Sequence, residues 1–168
     1  MAEQQPEGAR GQGGEEKQQF AIHKIYLKDS SFEIPNAPEI FRGEWKPKID
    51  VDLGMDWKKL DDETYETTLR VTVTAKLDDR TAYLCEVLQA GVFGVSGFDE
   101  RTLDALLGSY CPANLFPYAR EAVSDLVGKG GFPQMLLGPV NFEALYMQRK
   151  KQEKGGDAAE SPAPPGQA

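Results

Sequence analysis

From Leu69 to Leu77 the chain alternates without a break. Leu69, Val71, Val73, Ala75 and Leu77 are apolar, and Arg70, Thr72, Thr74 and Lys76 between them are polar. A period of two predicts a β-strand with one buried face. Asp78-Asp79-Arg80 is a short polar turn, and Thr81 to Ala90 resumes the strand pattern, so the two segments read as a hairpin. Ile49, Val51 and Leu53 alternate with Asp50 and Asp52 in another strand, after which Asp61-Asp62 turns the chain towards Tyr65. Phe20 to Glu33 is β-rich as well, but its apolar parity slips between Ile22 and Ile25, which predicts a bulge or burial on both sides. Residues 35–48 hold Pro35, Pro38, Pro47 and Gly43, so they are excluded from a central strand and read as a long crossover loop.

Past residue 100 the period changes. Leu115, Ala119, Ala122, Val123, Leu126 and Val127 recur at helical spacing, and the glycines from Gly128 to Gly131 stop that helix. Pro112 and Pro117 restrict its start, which leaves Leu103 to Tyr110 as a separate or kinked turn of helix. A further helix begins after Pro139 with Asn141 as its N-cap and Phe142, Leu145, Tyr146 and Arg149 along one side. Strands followed by helices predict an α+β domain with the helices on one face of the sheet. Residues 1–19 and 150–168 lack aromatic residues and hydrophobic periodicity, so they are expected to be disordered tails around an ordered domain of 20–149.

Charge narrows the function. The 168 residues carry a formal net charge of −8, which argues against a nucleic-acid partner and favours a basic one. No apolar run spans a bilayer, and the N-terminal MAEQQPEGARGQGGEEKQQ has neither the basic start nor the apolar stretch of a signal peptide. A cytoplasmic location without membrane insertion is the expectation. Cys85 and Cys111 form no metal-binding pattern and read as reduced, buried thiols.

Catalytic chemistry is hard to assemble. His23 is the sole histidine and stands in a strand without partners for a triad or a zinc site. The glycines at 91, 94 and 97 lack the lysine of a phosphate-binding loop, so they are expected to end a strand and start a helix. Cys111 has no basic neighbour to activate it. No catalytic residue, metal ligand or cofactor site is expected.

Two features point to binding. Asp29, Ser31 and Glu33 lie two apart and share a strand face, while Leu84 and Glu86 face opposite to Tyr83, Cys85 and Val87. If their strands share a sheet, these residues form one acidic, solvent-facing patch. Large apolar groups also occupy irregular segments. Trp45 stands in the crossover loop, Trp57 in a polar loop, and Phe132, Met135, Leu136 and Leu137 in a connection bounded by Gly and Pro. Such groups are either core residues or the lining of an exposed groove.

From Asp29-Ser30-Ser31-Phe32-Glu33-Ile34-Pro35-Asn36-Ala37-Pro38 onward the chain resembles the SecB family of bacterial protein-export chaperones. The likeness continues through Leu84-Cys85-Glu86-Val87, Cys111-Pro112-Ala113-Asn114-Leu115-Phe116-Pro117-Tyr118 and Pro139-Val140-Asn141-Phe142-Glu143-Ala144-Leu145-Tyr146, in family order over about residues 20–149. The resemblance implies a four-stranded antiparallel sheet with two helices on one face, assembled as a homotetramer, a dimer of dimers. It implies a chaperone that binds unfolded secretory preproteins and passes them to the SecA ATPase, whose basic, zinc-bearing tail would dock on the acidic face. Carried over by position, Asp29, Glu33, Leu84 and Glu86 are the SecA-docking residues, and Trp45, Val51, Leu53, Leu136, Leu137 and Tyr146 point into the groove for unfolded substrate. A SecB-like chaperone dedicated to a toxin–antitoxin pair would share the fold, but the strength of the docking-face match favours export. One departure is the run Arg149, Lys150, Lys151 and Lys154, more basic than a SecB tail.

Overall fold

The alternation at 69–77 becomes the middle of β3 (Thr64–Leu77), whose odd-numbered residues from Leu69 to Ala75 are fully buried. The two-residue turn Asp78-Asp79, with Asp78 at φ 52, returns the chain into β4 (Arg80–Ser96). β2 (Lys48–Lys59) flanks β3, and β1 (Gln19–Glu33) flanks β4, so the antiparallel sheet has the order β1-β4-β3-β2. These elements come from a computed structural model that describes residues 16–157. Because β1 and β2 are opposite edges, the connection between them crosses three strand spacings, roughly 14 Å, which is why it is long. It carries a single 3-10 turn, Glu39–Arg42, which drops Ile40 into the core at 2% exposure.

The parity slip in β1 is a register shift between Ile22 and Lys24, and a second shift lies between Leu27 and Asp29. The second one matters for function. It places Asp29 opposite Leu88, Ser31 opposite Glu86 and Glu33 opposite Leu84, and cross-strand partners share a face.

The inner face is covered by helix. α1 (Glu100–Ala105) is capped by Asp99, whose carboxylate accepts from the Thr102 backbone N–H at 2.9 Å. A π-helical turn, Leu106–Tyr110, leads into α2 (Cys111–Lys129). Pro112 has no N–H to offer the carbonyl four residues back, and the widened turn lies just before it. Pro117, by contrast, does not limit the helix: it is exposed, and α2 runs straight through it. Cys111, Leu115, Ala119, Val123 and Val127 form an i,i+4 stripe, all fully buried against β3 and β4.

Several expectations shift. β4 does not stop at Ala90 but continues through Gly91 and Gly94 to Ser96. Gly91 leaves room for Phe93 and Leu115, since a Cβ there would stand 2.8 and 2.9 Å from their carbons; Gly94 makes room for the His23 ring. Only Gly97, at φ 75, turns the chain. Trp57 belongs to β2, not to a loop, and packs edge-on against Tyr65. Regular secondary structure also extends beyond 20–149. β1 starts at Gln19, and α3 (Phe142–Asp157), capped by Asn141 as expected, runs eight residues past the forecast boundary. Ion pairs hold this polar extension, Lys150 to Asp104 and Glu153 to Arg149 and Lys150, and hydrophobic periodicity does not register them. The rest of the tails expected at 1–19 and 150–168, residues 1–15 and 158–168, lies outside the described residues.

On the outer face, Glu66 is 5% exposed and accepts hydrogen bonds from Tyr26 Oη, Lys28 Nζ (2.7 Å) and Lys58 Nζ (3.2 Å). Burial alone would raise its pKa, but the bonds from Lys28, Tyr26 and Lys58 outweigh it and hold the carboxyl at about 2. A depressed carboxyl stabilises the fold fully above its ordinary pKa of 4.5, and that contribution is lost as pH falls towards 2. The stake is on the order of 3 kcal/mol. In urea titrations the wild type should exceed Glu66→Gln in midpoint at pH 7, and the gap should narrow at pH 3. An equal gap at both pH values would refute this role.

Candidate functional site

The outer face of β1 and β4 brings the four docking candidates together. Glu33 faces Leu84 across the ladder, Ser31 faces Glu86, and Asp29 is one step further along. Leu84 is 36% exposed, an apolar patch between carboxylates. Asp29 accepts a hydrogen bond from the Ser30 backbone N–H at 2.9 Å, which orients its carboxylate. Glu86 has cationic company: Arg70 Nη1 donates to its Oε1, and Thr72 Oγ1 approaches its Oε2 at 3.4 Å. The patch is therefore acidic with one internal counter-charge, and Arg70 is the member that strand parity did not nominate. Its place was legible in the alternation; its pairing with Glu86 was not, because it depends on which strands are neighbours.

On the opposite edge, β2 and α3 enclose an open groove of about 710 Å³ lined by Val51 to Met55 and by Leu145, Gln148, Arg149 and Gln152. Val51 is 46% exposed and Leu53 half-buried, so apolar surface is available along an edge strand whose backbone is unpaired on that side. α3 is tethered above it. Arg149 donates to the Met55 carbonyl at 2.9 Å, and Lys150 pairs with Asp104 at 2.8 Å. The basic run at 149–154 is thus part of a helix, and its first two members hold that helix in place.

The other groove candidates are dispersed. Tyr146 packs on Gly108 of the π-turn, where a Cβ would lie 2.6 Å from its ring, and its hydroxyl donates to Asp104 at 2.6 Å. It clamps α3 and does not line the groove. Leu137 is a core residue at 6% exposure. Leu136, at 67%, lies in a separate depression beside Pro117, Arg120 and Ser124 of α2. Trp45 joins an aromatic cluster with Tyr83 and Phe132, to which Phe32 and Phe41 contribute. That cluster gathers β1, the crossover loop, β4 and the segment after α2, segments too distant in sequence for any local pattern to join. Phe41, 48% exposed, is its open side.

The thiols are unsuited to nucleophilic chemistry. Burial pushes Cys85 up to about 11 and Cys111 up to about 12. Among the described residues there is no cluster of three His, Cys, Asp or Glu side chains able to hold a metal, and no helix long and apolar enough to cross a membrane.

Comparison with known proteins places the chain in a family and bears on its fold. Residues 13–153 match the family model of SecB, the preprotein translocase subunit. The chain is 53% identical over 164 residues to the protein-export protein SecB of Halorhodospira halophila, covering 97% of this chain and 95% of that one. It is 55% identical to the protein of the same name from Alkalilimnicola ehrlichii, covering 95% of this chain and 87% of the relative. Among solved structures, a SecB-like chaperone of Mycobacterium tuberculosis, in complex with a ChAD peptide from an antitoxin, superposes with a TM-score of 0.61 at 20% identity. That superposition covers 72% of this chain and 90% of the other and shows a shared fold.

Proposed function

The chain belongs to the SecB family and is a chaperone of protein export, and from that premise we propose that it keeps unfolded preproteins in the groove between β2 and α3 and delivers them to SecA through the acidic sheet face. The observation that carries the reading is the register of β1 on β4, which aligns Asp29, Glu33, Leu84 and Glu86 on one exposed surface. That surface is separate from the groove, so a client and SecA can be held at once. The groove suits unfolded chains because apolar contacts tolerate many sequences, and an edge strand offers backbone hydrogen bonds to any extended segment.

Assembly as a cytoplasmic homotetramer, a dimer of dimers, fits the open surfaces. Both sheet edges are unpaired in the single chain, Ile22 and Leu27 on β1 are 46% and 50% exposed, and Tyr118 and Leu136 beside the outer side of α2 are 52% and 67% exposed. Self-association through β1 would cover an edge that otherwise invites aggregation and leave β2 open to clients, and four copies would give one long client several weak contacts and hence avidity.

Native mass spectrometry with a denatured, rapidly diluted secretory preprotein tests this. A tetramer should take up one unfolded chain and ignore the same protein once folded. Photo-cross-linkers at Val51 and Leu53 should label the client, and labelling confined to other surfaces would move the site. A monomer, or a tetramer blind to unfolded chains, would overturn the reading.

A further inference from the structure

Glu86, at the centre of the proposed docking face, does not meet a partner as a free carboxylate. Arg70 stands opposite Leu88 on the neighbouring strand, one step diagonal from Glu86, and its guanidinium already occupies Oε1. Both side chains remain partly open, 49% and 38% exposed, and ion pairs at such exposure are weakly held and screened by salt. The pair is therefore present but displaceable. Beside it the surface sinks into a hollow of about 400 Å³, where Gly54, the cross-strand neighbour of Arg70, contributes no side chain and Asp56 supplies another carboxylate. A guanidinium pushed off Glu86 has room there and Asp56 as a second acceptor, while Lys28 and Lys58, which also line the hollow, are already paired with Glu66.

We propose that Arg70 is a specificity-determining residue of the docking face: an internal competitor that a basic partner must displace from Glu86 with a cation of its own. The inference rests on the docking reading given above, in which that partner is SecA. Its consequence is discrimination. A polypeptide with diffuse positive charge is attracted to Asp29 and Glu33 but repelled by Arg70. A segment with one well-placed Lys or Arg takes over Glu86 and drives Arg70 towards Asp56. Affinity is given up for selectivity, the usual effect of a built-in repulsive element.

Titration calorimetry of purified SecA against the full-length chaperone and three single variants, with circular dichroism to confirm folding, decides the matter. Arg70→Gln should bind SecA about threefold to tenfold more tightly at low salt, as expected for removal of one like charge beside the contact, and the gain should fade as salt shortens the screening length. Arg70→Lys keeps the charge and should remain within about twofold of wild type. Glu86→Gln should weaken binding, because it removes an acceptor and releases an uncompensated cation. Adding Arg70→Gln to Glu86→Gln should recover part of that loss, a rescue that a purely structural arginine would not produce. An Arg70→Gln affinity equal to or below wild type, with Glu86→Gln still damaging, overturns the inference and leaves the docking face standing. Indifference of SecA to Glu86→Gln removes the docking face itself.

Discussion

Glu86→Lys is expected to reduce SecA affinity by about 100-fold at low salt. The change does three things at one point. It deletes the carboxylate facing Ser31, adds a cation beside Arg70, and leaves that guanidinium without the partner it holds now. Like charges across an interface cost several kcal/mol, and about 2.7 kcal/mol corresponds to the 100-fold loss. Preprotein binding should be nearly unchanged, because the groove lined by Val51 to Met55 and α3 lies at the other edge of the sheet. Pull-down and calorimetry with SecA, alongside capture of a denatured preprotein, read the two functions separately. SecA binding that survives the substitution at moderate salt would remove Glu86 from the docking face.

Leu115→Ala is expected to cost about 2–5 kcal/mol of stability, the range for emptying a fully buried leucine site. Leu115 is 0% exposed at the centre of the α2 stripe and sits over Gly91, where β4 yields space to the helix. Because Gly91 has no side chain to move into the gap, the void would have little means of closing. With typical slopes for urea, the loss should appear as a fall in the unfolding midpoint on the order of 1–2 M at fixed protein concentration. A midpoint within a few tenths of the wild type would mean that α2 settles onto the sheet after truncation.

The same residues show where a one-dimensional pattern stops. Alternation located the second half of β3 and the first part of β2, but missed the ends of β2 and β4: Trp57 stands among the polar Asp56, Lys58 and Lys59, and Gly91 and Gly94 belong to a type that usually marks loops. Here the glycines are strand residues whose missing side chains accommodate Phe93, Leu115 and His23. The last two turns of α3 were invisible for a different reason: RKKQEK has no apolar face, and its helix is held by Asp104, a residue more than forty positions away.

The acidic row was readable because strand geometry is local. Residues two apart share a side, so Asp29, Ser31 and Glu33 form a set wherever the strand is placed, and Glu86 joins them once its strand is a neighbour. The open apolar surface was not, since an apolar residue carries the same signature whether it meets the core or solvent. Leu136 and Leu137 are adjacent in the chain, yet one is 67% exposed and the other 6%, and Tyr146, which looks like a lining residue, is consumed in fixing α3 on Gly108 and Asp104. Periodicity and turn chemistry act over a few residues and were enough to determine the α+β class, the hairpin, the helix cap and the acidic row. Which apolar groups stay open, and that Arg70 pairs with Glu86, depend on packing between segments far apart in the chain, and only the assembled tertiary structure decides them.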